Sequence, residues 1–147
     1  NMFAAVGGVA NRVEPGKRML SSMCPTLVLK NGQPYMVVGT PGGTTIPTSV
    51  FQTIVDIIDY GKTPKQATQA PKFHHQWLPD QIMLEDGLPG AVTDSLVRMG
   101  YQLKTVNGIG RTEIILFDRK SGSDGRTGKT GMQAAADIRG DDSLAGY

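Results

Sequence analysis

Two short apolar runs on either side of an Asn-Gly pair constrain this chain more than any other feature. Residues 26–30 and 35–40 are the runs, and Asn31-Gly32 lies between them. Asn and Gly both tolerate positive φ, which the tight turn between right-twisted antiparallel strands demands. A β-hairpin is predicted. Pro34 cannot donate to a strand ladder, so the loop is expected to be slightly longer than two residues.

The chain leaves this hairpin through Pro41-Gly42-Gly43-Thr44-Thr45 and enters the best helical pattern in the sequence. Ile46, Val50, Ile54, Ile57 and Ile58 recur at the spacing of one helical face. Thr44 or Thr45 is placed to cap the start, Pro47 suits the first turn, and Gly61 follows Tyr60 at the end. A strand, a Gly-Gly turn and a capped helix aim a helix N-terminus at whatever lies above the turn. Gly42 and Gly43 have no side chains to block an approach to their N–H groups, and the helix dipole favours negative charge there. That is the physical specification of an oxyanion hole. It is also what a tight strand-to-helix turn needs for positive φ. Before the first strand stands Ser21-Ser22, whose hydroxyls can receive a carboxylate or satisfy local backbone. Because a hairpin returns the chain, Ser21 and Ser22 are expected to face the same cavity as Gly42 and Gly43.

The rest of the chain reads as one domain over residues 1–147, with neither an internal repeat nor a linker. Residues 1–10 are apolar and glycine-rich, as in a strand, and Pro15-Gly16 marks a turn. A short helix is predicted over 63–70, capped by Thr63 and begun by Pro64. Strands are expected over 73–77 and 81–85, a helix over 91–99, and strands over 101–106 and 112–117. Residues 118–130 are polar and glycine-rich and read as a loop. The tail from 134 is expected to hold a last strand and a turn.

Several functions are excluded or weakened by simple counts. A length of 147 residues, 39% apolar, suffices for a core, while a net charge of +2 with interspersed signs argues against nucleic acid or an anionic membrane. No run of 18 apolar residues is present to span a bilayer. Cys24 is the only cysteine, which rules out an internal disulfide or a cysteine-based zinc site, and its Met23-Cys24-Pro25 setting reads as a small packed residue. Asn1 is not an initiator methionine and no signal-peptide pattern follows it, so the chain is expected to begin inside a larger protein. His74 and His75 would point to opposite faces of a strand and cannot easily share one ion; a packed or hydrogen-bonded role is read for them. A serine triad joining Ser22 to one of them stays open, although no Gly-x-Ser-x-Gly elbow surrounds Ser22. The stretch 122–130 imitates a phosphate loop, but Ser123 stands where its first glycine belongs and no helix follows.

Arg18-Met19-Leu20-Ser21-Ser22-Met23-Cys24-Pro25-Thr26 resembles the γ-glutamyltransferase pattern Arg-Pro-Leu-Ser-Ser-Met-x-Pro-Thr. Gly39-Thr40-Pro41-Gly42-Gly43 is similar to that family's Gly-Ser/Thr-Pro-Gly-Gly, at the family's spacing. Ile58-Asp59-Tyr60-Gly61, the stretch 70–80 and the closing Ala145-Gly146-Tyr147 resemble further landmarks. Met19 and Ile138 replace prolines of the pattern. The resemblance implies an α/β (α+β) fold, part of the αββα sandwich of N-terminal-nucleophile hydrolases, with mostly antiparallel sheet and flanking helices. It implies maturation by autoproteolysis into two subunits, and transfer of a γ-glutamyl group from glutathione or related donors to water, amino acids or peptides, without cofactor or metal. Ser21 and Ser22 would then hold the donor's α-carboxylate, and Gly42 and Gly43 would supply oxyanion-hole N–H groups.

The family's threonine nucleophile is expected upstream of Asn1, as are the residues that hold the donor's amino end. By this resemblance the chain corresponds to the C-terminal part of the small subunit, inactive alone. Its partners would be the remainder of that subunit and the large subunit. Bacterial members are commonly periplasmic or secreted. Two other readings compete: a non-catalytic carboxylate-binding module, and a serine hydrolase using Ser22. Without its partner layer, the apolar face of the 46–60 helix and the sheet edges are expected to lack cover, favouring self-association.

Overall fold

The computed structural model describes residues 8–121 and 127–145. The hairpin forms where it is expected: β1 (Thr26–Lys30) pairs antiparallel with β2 (Gln33–Gly39). Asn31 and Gly32 take φ of 53° and 72°. Lys30 faces Gln33, so the loop has only two residues and the longer loop does not form. Pro34 is absorbed instead by a bulge. Leu29 pairs with Pro34 and Val28 with Met36, which leaves Tyr35 as the extra residue.

After β2 a 3-10 turn, Gly43–Thr45, leads into α1 (Ile46–Ile58). Thr45 holds the N-cap position, yet its hydroxyl donates back to Gly42 O at 2.9 Å rather than capping the helix. Val50 and Ile57 are buried against Met36 and Val38 of β2, and Ile54 packs at the edge of this core. Ile58 falls off the face and is half exposed. The next helix, α2 (Pro64–Gln69), starts with a reciprocal capping box between Thr63 and Gln66 and has proline in its first turn.

A small sheet follows, in the order β3 (Phe73–His74), β4 (Ile82–Leu84), β5 (Leu103–Thr105). β4 and β5 are parallel, and α3 (Gly90–Arg98) makes the crossover between them. β3 stops earlier than expected: its pairing with β4 ends at His74, and the chain then turns through Trp77, whose φ is 73°. The last two strands, β6 (Glu113–Ser121) and β7 (Thr127–Ala135), complete a four-stranded antiparallel sheet ordered β1-β2-β6-β7. Much of the loop predicted over 118–130 is therefore strand, while 122–126 lie outside the described residues. The reason is topological. β2 reaches β6 only from Gly39–Glu113 to Met36–Leu116, so among the described residues no third strand joins the rest of the β6–β7 ribbon. A two-stranded ribbon need not carry the apolar alternation that marks a half-buried strand. Of the strand expected over 1–10, residues 1–7 lie outside the described residues and Val9–Asn11 form a 3-10 turn. The tail ends β7 at Ala135 and turns at 138–139, while 146–147 lie outside the described residues.

α1 and α2 cover one face of the four-stranded sheet. Met36, Val38, Ile114 and Ala135 point into this layer with Val50, Ile57 and Ala67. The opposite face is also apolar, yet Leu27, Val37 and Ile115 are 58%, 41% and 40% exposed. The surface without cover is thus the second face of the sheet. The α1 face, expected to be bare, is the core.

A buried polar cluster ties the C-terminal segment to the rest. Glu85 accepts from the backbone N–H of Lys72 at 2.8 Å and of Ile109 at 2.6 Å, and from Arg139 Nε at 2.6 Å. Arg139 also donates to Asp137 Oδ1 and Thr68 O, each at 2.8 Å, and to Ala70 O at 2.9 Å. Asp137 accepts from Thr112 N at 2.7 Å. Burial alone would raise the Glu85 carboxyl, but the hydrogen bonds from Arg139 and the two amides hold it below its ordinary value. Ile138, between the two paired residues, is exposed, so its replacement of a proline leaves the cluster intact.

Lys72 is the dissonant member. It is 1% exposed, and its ammonium donates to Thr68 O at 3.1 Å. Burial, and then the neighbouring Arg139 charge, lower its pKa from 10.5 to about 8. The folded chain holds this proton less tightly than the unfolded chain does. Lys72 therefore subtracts stability below about pH 8, and the subtraction fades as pH rises from about 8 to 10.5. Lys72→Met should be more stable than the parent at pH 7, by at most about 3 kcal/mol, because Thr68 O keeps its Arg139 donor. Urea unfolding from pH 7 to 10 should show that advantage shrinking; a gap independent of pH would refute it. Arg139→Ala should instead cost about 3–5 kcal/mol in the same assay, because it leaves Glu85 and Asp137 buried without their partner.

Candidate functional site

The register of the hairpin decides where its two ends meet. Thr26 lies opposite Val38, so the segment entering β1 and the segment leaving β2 emerge at the same end of the sheet. There the half-buried Ser22 donates its hydroxyl hydrogen to the carbonyl oxygen of Gly43. Two motifs that are 21 residues apart in sequence are thus in direct contact. Ser21 stands beside them on the exposed side, where its Oγ accepts from Met23 N at 3.2 Å. Of the two serines, only Ser22 touches the glycine turn directly.

The turn itself requires glycine. Gly42 has φ 149° and Gly43 φ 59°, both positive. A Cβ on Gly42 would lie 2.6 Å from Thr45 Oγ1 and 3.2 Å from Gly110 Cα. Both carbonyls of the turn are engaged: Gly42 O accepts from Thr45 N at 3.2 Å and Thr45 Oγ1 at 2.9 Å, and Gly43 O accepts from Ser22. In a trans peptide the N–H points opposite to the C=O. The N–H of Gly43 therefore points away from Thr45, and that of Thr44 away from Ser22. Backbone donors, the start of α1 and the Ser21 hydroxyl together make a pole suited to anionic oxygen, with the Ser22 hydroxyl beside them on Gly43 O.

Sequence reasoning missed one wall of this site. The loop between β5 and β6 brings Gly110 against Gly42, and Arg111 N donates to Thr40 Oγ1 at 2.7 Å. Glycines at 108 and 110 between two strands were the only signal available. They announce a turn and say nothing of Thr40, 71 residues before Arg111.

The histidines belong to other arrangements. His74 is buried; its Nδ1 is 2.8 Å from Thr48 Oγ1 on α1 and its Nε2 is 3.0 Å from Gln76 Oε1. His75 Nε2 is 3.1 Å from Asp80 Oδ1. Neither is the partner of Ser22, whose hydroxyl is bonded to Gly43. Cys24 packs at the edge of the core, as its setting suggests. Among the described residues no three His, Cys, Asp or Glu side chains gather to hold a metal ion.

Comparison with known proteins places this arrangement. The family model for Gamma-glutamyltranspeptidase matches residues 1–147. The chain is 43% identical over 148 residues to the glutathione hydrolase proenzyme of Escherichia coli K12, covering all of this chain and 24% of that protein. It is 40% identical over 144 residues to the Pseudomonas aeruginosa glutathione hydrolase proenzyme, again 24% of that protein. The chain thus spans about a quarter of the curated relatives it matches. Among solved structures, the T380A mutant of Helicobacter pylori gamma-glutamyltranspeptidase superposes with TM-score 0.82 at 43% identity, covering 91% of this chain and 69% of that one. The Pseudomonas nitroreducens enzyme complexed with L-DON gives 0.83 at 36% identity, over 100% of this chain and 73% of that one. The α+β architecture with mostly antiparallel sheet and flanking helices is shared with these N-terminal-nucleophile hydrolases, and the chain belongs to the gamma-glutamyltranspeptidase family.

Proposed function

We propose that the chain forms part of the acyl-transfer site of a γ-glutamyltransferase. The observation that carries this reading is the contact between Ser22 and Gly43, which joins the family's two motifs at one end of the sheet. In this reading Ser21 and Ser22 hold the α-carboxylate of a γ-glutamyl donor such as glutathione, Ser22 turning its hydroxyl hydrogen from Gly43 O to the carboxylate as the donor binds. The N–H groups of the Gly42–Gly43 turn stabilise the oxyanion that forms when a threonine attacks the γ-amide carbonyl. Their donors are fixed before the reaction begins, so little reorganisation is needed as charge develops. Collapse of that oxyanion breaks the amide C–N bond and releases the donor's amine, which takes the proton lost by the threonine hydroxyl. Water, an amino acid or a peptide then takes the γ-glutamyl group from the threonine.

Residues 1–147 are read as a single domain, the C-terminal part of the small subunit of an autoprocessed precursor. The threonine and the grip on the donor's amino group come from the rest of that protein. In an acivicin-inhibited gamma-glutamyltranspeptidase of known structure the C-terminus has critical roles in autoprocessing and catalysis. The buried Asp137–Arg139 anchor supports a similar importance for the tail here. Among the described residues no helix is long and apolar enough to cross a membrane, and a periplasmic or secreted location follows from the family reading.

The full-length precursor should release p-nitroaniline from γ-glutamyl-p-nitroanilide, and residues 1–147 alone should release none. Turnover by the isolated chain that disappears in Ser22→Ala would instead establish a serine hydrolase. A full-length protein that binds the donor without turnover would mark a carboxylate-binding module. Alone, the chain should also self-associate through Leu27, Val37 and Ile115, the bare face of the sheet. Sedimentation should show this, and Val37→Lys with Ile115→Lys should shift the population towards monomer.

A further inference from the structure

We propose that Thr40 and the Ile109–Gly110–Arg111 corner form a brace that sets the position of the Gly42–Gly43 turn. The inference rests on the acyl-transfer reading above and adds positioning residues to it. Thr40 Oγ1 uses both its hydrogen-bonding capacities on the backbone. It donates to Pro41 O at 2.7 Å and accepts from Arg111 N at 2.7 Å. One hydroxyl therefore links the peptide just before the glycine turn to the loop between β5 and β6.

The second contact is steric. Gly110, with φ 69°, lies so close that a Cβ on it would stand 2.8 Å from Thr40 Oγ1 and 2.8 Å from Ser49 Oγ. A Cβ on Gly42 would approach Gly110 Cα to 3.2 Å. Two glycine turns from distant parts of the chain are packed against one another, with no room for a side chain on either glycine. Before the donor binds, Ser22 holds Gly43 O from one side, and the β5–β6 loop presses on Gly42 from another. The loop is itself anchored. Ile109 N donates to Glu85 in the buried cluster, and the Arg111 guanidinium pairs with Asp142 at 3.0 Å. A turn that offers backbone donors to a developing charge works only while those donors stay aimed, and a displacement of about 1 Å costs roughly a hundredfold in rate. Thr40 acts on the reaction through Gly42 and Gly43, which makes it a positioning residue.

The test uses the full-length precursor, with rates expressed per processed enzyme. Thr40→Val keeps the shape and removes both hydrogen bonds; Thr40→Ser keeps the hydroxyl. For γ-glutamyl-p-nitroanilide, Thr40→Val should lower kcat about tenfold or more with KM within about twofold, and Thr40→Ser should restore most of kcat. Gly110→Ala, which displaces the same turn by a different route, should show the same split. Failure of Thr40→Val to autoprocess, at an unchanged melting temperature and with processing regained in Thr40→Ser, would also support the brace. The proposal is overturned if Thr40→Val turns over like the parent, if the loss lies in KM, or if Thr40→Ser is as impaired as Thr40→Val. It is equally overturned if the loss only tracks a lowered melting temperature. A parent precursor that releases no p-nitroaniline would instead refute the acyl-transfer reading.

Discussion

The left-handed backbone at Asn31 and Gly32 imposes one register on β1 and β2, and the four-stranded sheet is built outward from that register. Strand side chains alternate between faces, so a slip of one residue would expose Met36 and Val38 and bury Val37. With the observed pairing, Met36 and Val38 meet Val50 and Ile57 of α1, and β2 presents its other edge to β6. The bulge at Tyr35 accommodates Pro34 without disturbing this, because the extra residue is taken up before the buried positions begin. The same register brings Ser22 to Gly43.

Around that frame the chain is closed by charge. Glu85, Asp137 and Arg139 are mutually satisfied below the surface, and their hydrogen bonds reach the end of α2, the loop before β6 and the segment after β7. A planar guanidinium can serve two carboxylates and two carbonyls at once, which a lysine ammonium cannot do with the same geometry. Lys72 shows the difference. Confined beside Arg139, it has a lowered pKa and makes its hydrogen bond to a carbonyl that Arg139 already serves.

Much of the local structure was legible because its causes are local. The Asn-Gly hairpin, the Thr63–Gln66 capping box, the proline in the first turn of each of the first two helices and the glycine after α1 depend on neighbours a few residues away. The paired Ser21-Ser22 and Gly42-Gly43 motifs could be placed near one another for the same reason, since a hairpin is a short-range object. Polarity misled at 118–121 and 127–130, where β6 and β7 pair with each other and, among the described residues, with no third strand. Cap chemistry misled at Thr45, whose hydroxyl turned back to the glycine turn.

The sequence by itself determined the hairpin, the helices, the family and the pairing of a serine motif with a glycine turn. Only the tertiary structure decided that the bare apolar surface is a sheet face, that Arg139 is the buried link between Glu85 and Asp137, and that Gly110 and Arg111 stand against Gly42 and Thr40. The physical reason is separation along the chain. Backbone preference and capping act over a few residues, whereas the Glu85–Arg139 and Thr40–Arg111 contacts join residues 54 and 71 positions apart and arise only when packed layers bring them together.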